Sequence, residues 1–316
     1  MEPANNTPCE LAGKRVWVAG HKGLVGSALV RRLAVEKCEI MTIGRDDLDL
    51  RRQADVEAWI LQHKPQVIFA AAATVGGIHA NISRPAEFIF DNLTITTNIV
   101  HAAHLANVEK LMVLGSSCIY PRLADQPIHE DSLMTGPFEP TNRWYATAKV
   151  AGIMLADGYR QQFDRDFISV VPTNLYGPGD NFDPAASHVI PATIRKILKA
   201  KQEGGVVDVW GTGTPEREFL FIEDAADAMV FLMKNYSSDE IINIAAGESV
   251  SIGELTSIIA KLLDYQGDFK FDHSKPDGMP KKMLSANRLI ALGWRPNTPL
   301  LHGLKSTIDW YLAHSS

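Results

Sequence analysis

Arg15-Val16-Trp17-Val18-Ala19-Gly20-His21-Lys22-Gly23-Leu24-Val25-Gly26 is the stretch on which the architecture turns. A short apolar run leads into three glycines at i, i+3 and i+6, and a helical pattern follows over 24–35. Strand, glycine turn and helix in that order is the context a dinucleotide fingerprint needs. Glycines let the backbone turn tightly and approach a pyrophosphate, and the N-terminus of the next helix offers N–H groups and a favourable dipole. The spacing is G-x-x-G-x-x-G rather than G-x-G-x-x-G, so the turn by itself also fits a plain tight connection. On the cofactor reading, Gly20, His21, Lys22, Gly23, Leu24, Val25 and Gly26 line a dinucleotide.

Working outward, a second strand is predicted over 39–43, ending in Gly44-Arg45. An acidic residue at that strand end would bind the ribose hydroxyls of NAD, whereas an arginine suits the 2′-phosphate of NADP. Arg45, helped by Lys22, argues for NADP; Asp46 follows directly and keeps an NAD site open. Further strands are predicted over 65–70, 110–114 and 167–171, separated by helical stretches that include 85–107 and 142–162. Such alternation is that of a doubly wound parallel sheet.

In an open sheet of this kind, ligands sit beyond the carboxyl ends of the strands. The fourth strand ends in Gly115-Ser116-Ser117-Cys118, where Ser116 can hydrogen-bond a carbonyl and Cys118 is either a proton-transfer group or a packed thiol. Tyr145 and Lys149 come next, four apart and so on one face of a helix. A nearby ammonium favours the phenolate, so Lys149 is expected to lower the Tyr145 pKa. Arg217, between Glu216 and Glu218, reads either as a phosphate ligand or as half of a local ion pair. Trp210 reads either as core or as a stacking surface.

The 316 residues, 46% of them hydrophobic, suffice for a large core and a second, smaller lobe. A net charge of -6 without a basic stripe argues against nucleic acid as partner. Cys9, Cys38 and Cys118 have neither metal-ligand nor disulfide-framework spacing, which fits a cytoplasmic protein without a metal. No apolar run has the length of a membrane span, and the polar opening does not look like a signal peptide.

Taken together, the glycine turn, Ser116, Tyr145-x-x-x-Lys149 and Asn174-Leu175-Tyr176-Gly177-Pro178 resemble the extended short-chain dehydrogenase/reductases that act on nucleotide sugars. The likeness extends to Ala72-Ala73-Thr74-Val75-Gly76-Gly77, to the 115–121 segment, to Ser187-His188-Val189-Ile190-Pro191 and to Trp210-Gly211-Thr212-Gly213-Thr214-Pro215. It covers nearly the whole chain and points to the epimerase-reductase branch of that family. The fold implied is Rossmann-like with a smaller C-terminal α/β substrate lobe. The activity implied is NADPH-dependent conversion of GDP-4-keto-6-deoxy-D-mannose to GDP-L-fucose, by C3/C5 epimerisation and then reduction at C4. An NAD-retaining nucleotide-sugar epimerase or dehydratase is the alternative, and a non-catalytic sugar-nucleotide-binding protein a more distant one.

By position, the resemblance makes Ser116, Tyr145 and Lys149 the reductase triad and Cys118 and His188 the epimerase base and acid. It adds Leu114, Gly115, Ser116, Ser117, Lys149, Pro172, Thr173, Asn174, Leu175 and His188 to the NADP site, and Lys196, Trp210, Arg217 and Asp277 to the sugar-nucleotide site. Lys22 and Lys196 stand where some relatives carry arginine, keeping the charge and losing the bidentate fork. The expected organisation is a flexible tail over 1–13, a dinucleotide-binding domain over 14–179 and a substrate lobe mainly over 180–316, with 219–224 and 241–245 returning to the main domain. A homodimer pairing the two long helices is implied as well.

Overall fold

The computed structural model describes residues 8–184, 186–275 and 277–315. Its first half runs β1 (Arg15–Ala19), α1 (Leu24–Leu33), β2 (Glu39–Met41), α2 (Gln53–His63), β3 (Val67–Ala70), α3 (Ile78–Ser83), α4 (Pro85–Leu105), β4 (Lys110–Leu114), α5 (Arg143–Phe163), β5 (Asp166–Pro172) and β6 (Asn174–Tyr176). The second half runs α6 (Val189–Glu203), β7 (Val207–Trp210), β8 (Glu216–Arg217), β9 (Phe219–Phe221), α7 (Ile222–Asn235), β10 (Ile242–Ile244), β11 (Val250–Ser251), α8 (Ile252–Leu262), β12 (Phe269–Asp272), β13 (Lys281–Lys282), α9 (Asn287–Ala291) and α10 (Leu300–His314).

Six strands form one parallel sheet in the order β10-β5-β4-β3-β1-β2. Its inner strands are apolar at nearly every position because helices cover both faces. Side chains alternate between the two layers. Val16, Val18, Val67, Phe69, Met112 and Leu114 pack with Ala28, Leu29, Ala225 and Met229 of α1 and α7. Trp17, Ala19, Ile68, Ala70, Leu111 and Val113 pack with Val56, Ile60, Ile95 and Ile99 of α2 and α4. Each such side chain, fully buried, contributes roughly 1.5–3 kcal/mol.

A second core joins α6, α8 and α10 to β7 and β9 through Ile190, Ile194, Ile197, Val209, Phe221, Leu255, Ile259, Leu304 and Ile308. Here β7 pairs with β12, and β8 lies between β11 and β13. Ser251 caps α8 by accepting the Glu254 N–H at 3.1 Å, an N-cap contact with Glu254 at N3.

One expectation is corrected. The tail is shorter than 1–13: Cys9 N–H donates to the Lys234 carbonyl at 2.8 Å and Leu11 is wholly buried, while 1–7 lie outside the described residues. Within 219–224, Leu220 and Ile222 pack in the core of the six-stranded sheet. Phe219–Phe221 pairs with β6, and the return to the main layer is made by α7, whereas Ile242–Ile244 is an edge strand of the main sheet.

Candidate active site

The glycine turn closes through a Gly23 N–H to Gly20 carbonyl bond of 3.0 Å, with Gly20 at φ +84°. Only glycine suits two of its positions. A Cβ on Gly20 would lie 2.7 Å from the Ala72 backbone, and one on Gly26 only 2.1 Å from the Gly20 carbonyl oxygen. A Cβ on Gly23, by contrast, would meet nothing nearer than 3.5 Å, so this side of the turn is open to a ligand. The first turn of α1 has no side-chain cap and no acidic residue, which leaves its N–H groups and positive dipole end facing that opening. The cradle therefore fits a dinucleotide pyrophosphate. Just beyond β2, a Cβ built on Gly44 would sit 3.3 Å from Lys22 Nζ and 3.5 Å from Asp47 Oδ2, so Lys22 reaches the residue that precedes Arg45. Gly26→Ala is expected to lower the melting temperature and abolish NADPH binding, because an added methyl there costs roughly 1–3 kcal/mol of overpacking. A calorimetric scan with and without NADPH checks both effects.

Beyond β4 the chain turns sharply. Gly115 N–H donates to the Val170 carbonyl at 2.8 Å, and a single 3₁₀ turn, Ser117–Ile119, follows. Ser116 Oγ accepts the Cys118 N–H at 3.4 Å, which keeps the serine hydroxyl and the thiol on one tight bend. From the start of α5, Asn142 Nδ2 donates to Cys118 Sγ at 3.2 Å, and from β13, Lys282 Nζ approaches the same sulfur at 3.8 Å. Asn142 Oδ1 is buried and has no partner, so an acceptor stands free beside the thiol.

Tyr145 packs edge-on against Phe88 with ring centroids 6.3 Å apart. Lys149 is buried; its Nζ donates to the Leu114 carbonyl at 2.9 Å and lies 5.6 Å from the centre of the Tyr145 ring. The expected lowering of the Tyr145 pKa is not what this arrangement produces. Burial pushes the phenol up, negative charge at Cys118 pushes it further, and only a hydrogen bond with Ser116 works the other way. Burial also brings Lys149 down to about 8. Desolvation of both partners outweighs their mutual attraction.

His188 is the N-cap residue of α6. Its segment is held near the site by Gly77 N–H donating to the Ala186 carbonyl at 3.2 Å. Although the residue has open surface, surrounding protein holds the imidazole below its ordinary pKa by burial. Thr173 N–H bonds the Ile244 carbonyl at 3.0 Å and Asn174 Nδ2 bonds the Glu218 carbonyl at 2.8 Å, which fixes the 172–175 strand switch.

At the other end, Trp210 is 62% exposed, which excludes the core reading. Lys196 Nζ and Lys275 Nζ lie 5.6 and 5.7 Å from its ring, an aromatic surface edged with positive charge. Arg217 does not pair with the carboxylates of its sequence neighbours. Its Nη1 donates to the Glu216 and Met279 carbonyls, both at 2.7 Å, while the Glu216 carboxylate bonds Lys281 and that of Glu218 accepts the Ala246, Gly247 and Leu284 N–H groups. Burial lowers the Arg217 pKa without removing its charge, so the guanidinium is available to an anion. Asp277 accepts both the N–H and the hydroxyl of Thr212, at 2.7 and 2.9 Å, and so ties the Trp210 turn to the segment before β13.

Residues 16–245 match the NAD dependent epimerase/dehydratase family. The chain is 52% identical over 305 residues to a GDP-L-fucose synthase of Sinorhizobium fredii, covering 96% of this chain and 97% of the relative. It belongs to this family, and within it to the GDP-L-fucose synthases. GDP-L-fucose synthase 1 of Arabidopsis thaliana is 50% identical over 300 residues, covering 94% and 93%. A crystal structure of a GDP-L-fucose synthetase from Naegleria fowleri bound to NADP superposes with a TM-score of 0.92 at 31% identity, covering 99% of this chain and 98% of the other.

In this GDP-L-fucose synthase family chain, Ser116, Cys118, Tyr145 and Lys149 gather around one bend at the carboxyl end of β4. Lys196, Trp210, Arg217 and Asp277 gather in the second lobe. Sequence reasoning missed the Cys118 contacts of Asn142 and Lys282, the Trp210 contact of Lys275 and the anchoring by Glu218. Asn142 alone carried a signal, its place three residues before Tyr145 at the start of a helix.

Proposed function

We propose that this chain converts GDP-4-keto-6-deoxy-D-mannose to GDP-L-fucose with NADPH, epimerising C3 and C5 and then reducing C4 in one site. The observation that carries the reading is Cys118, a free thiol on the Ser116 bend beside Tyr145, in a chain so similar to GDP-L-fucose synthases. A simple reductase has no use for that thiol.

Both C3 and C5 are α to the C4 ketone, so polarising the carbonyl acidifies both C–H bonds. Ser116 and Tyr145 hold donors toward the oxygen before reaction begins, which stabilises the enolate. Cys118 removes the proton and His188 returns one to the other face. Burial lowers the His188 pKa, making its protonated form the stronger acid. Tyr145 is then kept protonated by its burial, the form needed to deliver a proton to the C4 oxygen. The Lys149 ammonium, 5.6 Å from the ring, stabilises the phenolate left behind.

NADPH, when bound, supplies the hydride to C4. Gly20, His21, Lys22, Gly23, Leu24, Val25 and Gly26 hold its pyrophosphate, Arg45 with Lys22 its 2′-phosphate, and 114–117, Lys149, 172–175 and His188 its nicotinamide half. Arg45→Ala is expected to lower the NADPH-to-NADH ratio of kcat/KM by about tenfold, the size of one charge-assisted contact. Steady-state rates with the two cofactors measure it.

Lys196 and Arg217 bind the diphosphate of the substrate, and Trp210 stacks beside the sugar or base, with Asp277 setting the turn. Residues 14–179 act as the cofactor domain and 180–316 mainly as the substrate lobe. The paired helices α4 and α5 leave Phe90 and, on α5, Trp144 and Met154 exposed, apolar side chains that a homodimer contact could cover. Among the described residues no helix is long and apolar enough to cross a membrane, and a cytoplasmic site of action accords with three free thiols.

Turnover in D₂O with NADPH tests the reaction. Deuterium at C3 and C5 of a GDP-L-fucose product supports the reading; reduced product carrying solvent label at neither carbon contradicts the epimerase half.

A further inference from the structure

Cys118 Sγ has two donors, and one of them is a cation from a distant part of the chain. Lys282 Nζ lies 3.8 Å from the sulfur, across 164 residues of sequence. Neighbouring Lys281 points elsewhere and pairs with Glu216 at 2.8 Å. Among the described residues Lys282 has no carboxylate partner within ion-pair distance, so the thiol is the group its charge serves.

That placement is built rather than incidental. Lys282 lies opposite Arg217 in the β8–β13 pair, and its carbonyl accepts the Glu218 N–H at 3.2 Å. Met283 N–H bonds Gln126 Oε1 at 2.9 Å and its carbonyl accepts the Ile128 N–H at 2.8 Å. Leu284 N–H bonds buried Glu218 at 2.9 Å. Strand β13 is thus fastened both to the segment just after the Cys118 bend and to the strand carrying Arg217. Fixed backbone on both sides sets where the Lys282 side chain begins, within reach of the sulfur.

We propose that Lys282 is a positioning residue for epimerisation: its ammonium, 3.8 Å from the sulfur, and the Asn142 amide, 3.2 Å from it, stabilise negative charge on Cys118 Sγ when it acts as base. The inference rests on the epimerase reading of Cys118. In the step it supports, the C–H electron pair moves into the enolate, the proton goes to Sγ, and Lys282 keeps its own protons throughout. The titratable groups facing the sulfur are Lys282 from β13 and Tyr145 from α5. The charge that Lys282 favours also helps keep Tyr145 protonated, behind the larger effect of burial. Arg217 and Lys282 share one strand pair, so binding the substrate diphosphate and presenting the base depend on the same strut.

The test uses the full chain without substrate or cofactor, reading iodoacetamide alkylation of the Cys118 peptide by mass spectrometry across pH 5–10. Lys282→Met is expected to slow alkylation at pH 7 by about tenfold and move the profile to higher pH, because the thiolate is the reacting form. Lys282→Arg is expected to restore most of the rate. Lys282→Gln, which keeps a polar end, serves if the Met variant melts early, and should show the same loss. An unmoved alkylation profile in a folded Met or Gln variant overturns the proposal. So does loss of C3/C5 exchange with an unmoved profile, since Lys282 would then act on substrate. If the profile moves but the parent protein exchanges no C3/C5 protons, the effect of Lys282 on the sulfur stands, while its part in epimerisation falls with the proposed function.

Discussion

Tyr145→Phe is expected to slow reduction of the C4 ketone by about 10³-fold while leaving NADPH binding and solvent exchange at C3 and C5 largely in place. The size is that of losing a positioned general acid, which is commonly worth 10²–10⁴. The change removes one oxygen and keeps the ring, so its edge contact with Phe88 survives. Ser116 still offers a donor to the carbonyl, and Cys118 retains Asn142 and Lys282. Exchange should therefore fall only modestly, by the loss of one of two donors at the enolate oxygen. Stopped-flow NADPH absorbance and proton NMR in D₂O read the two halves separately. Equal loss in both would mean that Tyr145 acts mainly in carbonyl polarisation, and unchanged turnover would remove it from the mechanism.

Cys118→Ala is expected to have the opposite pattern, with C3/C5 exchange slowed by about 10²–10⁴ and NADPH affinity unchanged. The thiol is the only titratable side chain on the bend formed by Ser116 and the 3₁₀ turn after it. Its removal leaves the amide of Asn142 and the ammonium of Lys282 without an acceptor but breaks no backbone contact. The melting temperature should thus move little. Retained exchange in a folded variant would reassign the base.

The parts of this account legible in the sequence are those whose cause is local. Gly20 and Gly26 were readable because the turn itself demands glycine, Gly20 by its φ of +84° and Gly26 because a Cβ there would strike the Gly20 carbonyl. Tyr145 and Lys149 were readable because four residues is one helical step. What failed was the electrostatics drawn from that spacing. The Lys149 ammonium was expected to govern the phenol, yet burial governs both groups, and burial is set by β4, α4 and the rest of the fold. Arg217 was open between a phosphate ligand and a local ion pair, and what excludes the ion pair is not local: its partners are backbone carbonyls, one of them 62 residues away. Lys282 and Cys118 meet across 164 residues, and no local pattern encodes that approach. The strand layer was legible as well, and the pairing of Phe219–Phe221 with β6 adds a contact that the sequence does not encode locally.

The most direct test of the central claim is NADPH oxidation by the purified protein on adding GDP-4-keto-6-deoxy-D-mannose, with NADH and sugar-free controls. The account predicts oxidation that depends on the sugar, runs faster with NADPH than with NADH, and ends in GDP-L-fucose. No oxidation, together with NAD retained in the protein as purified, would contradict it and identify an enzyme that recycles its own cofactor.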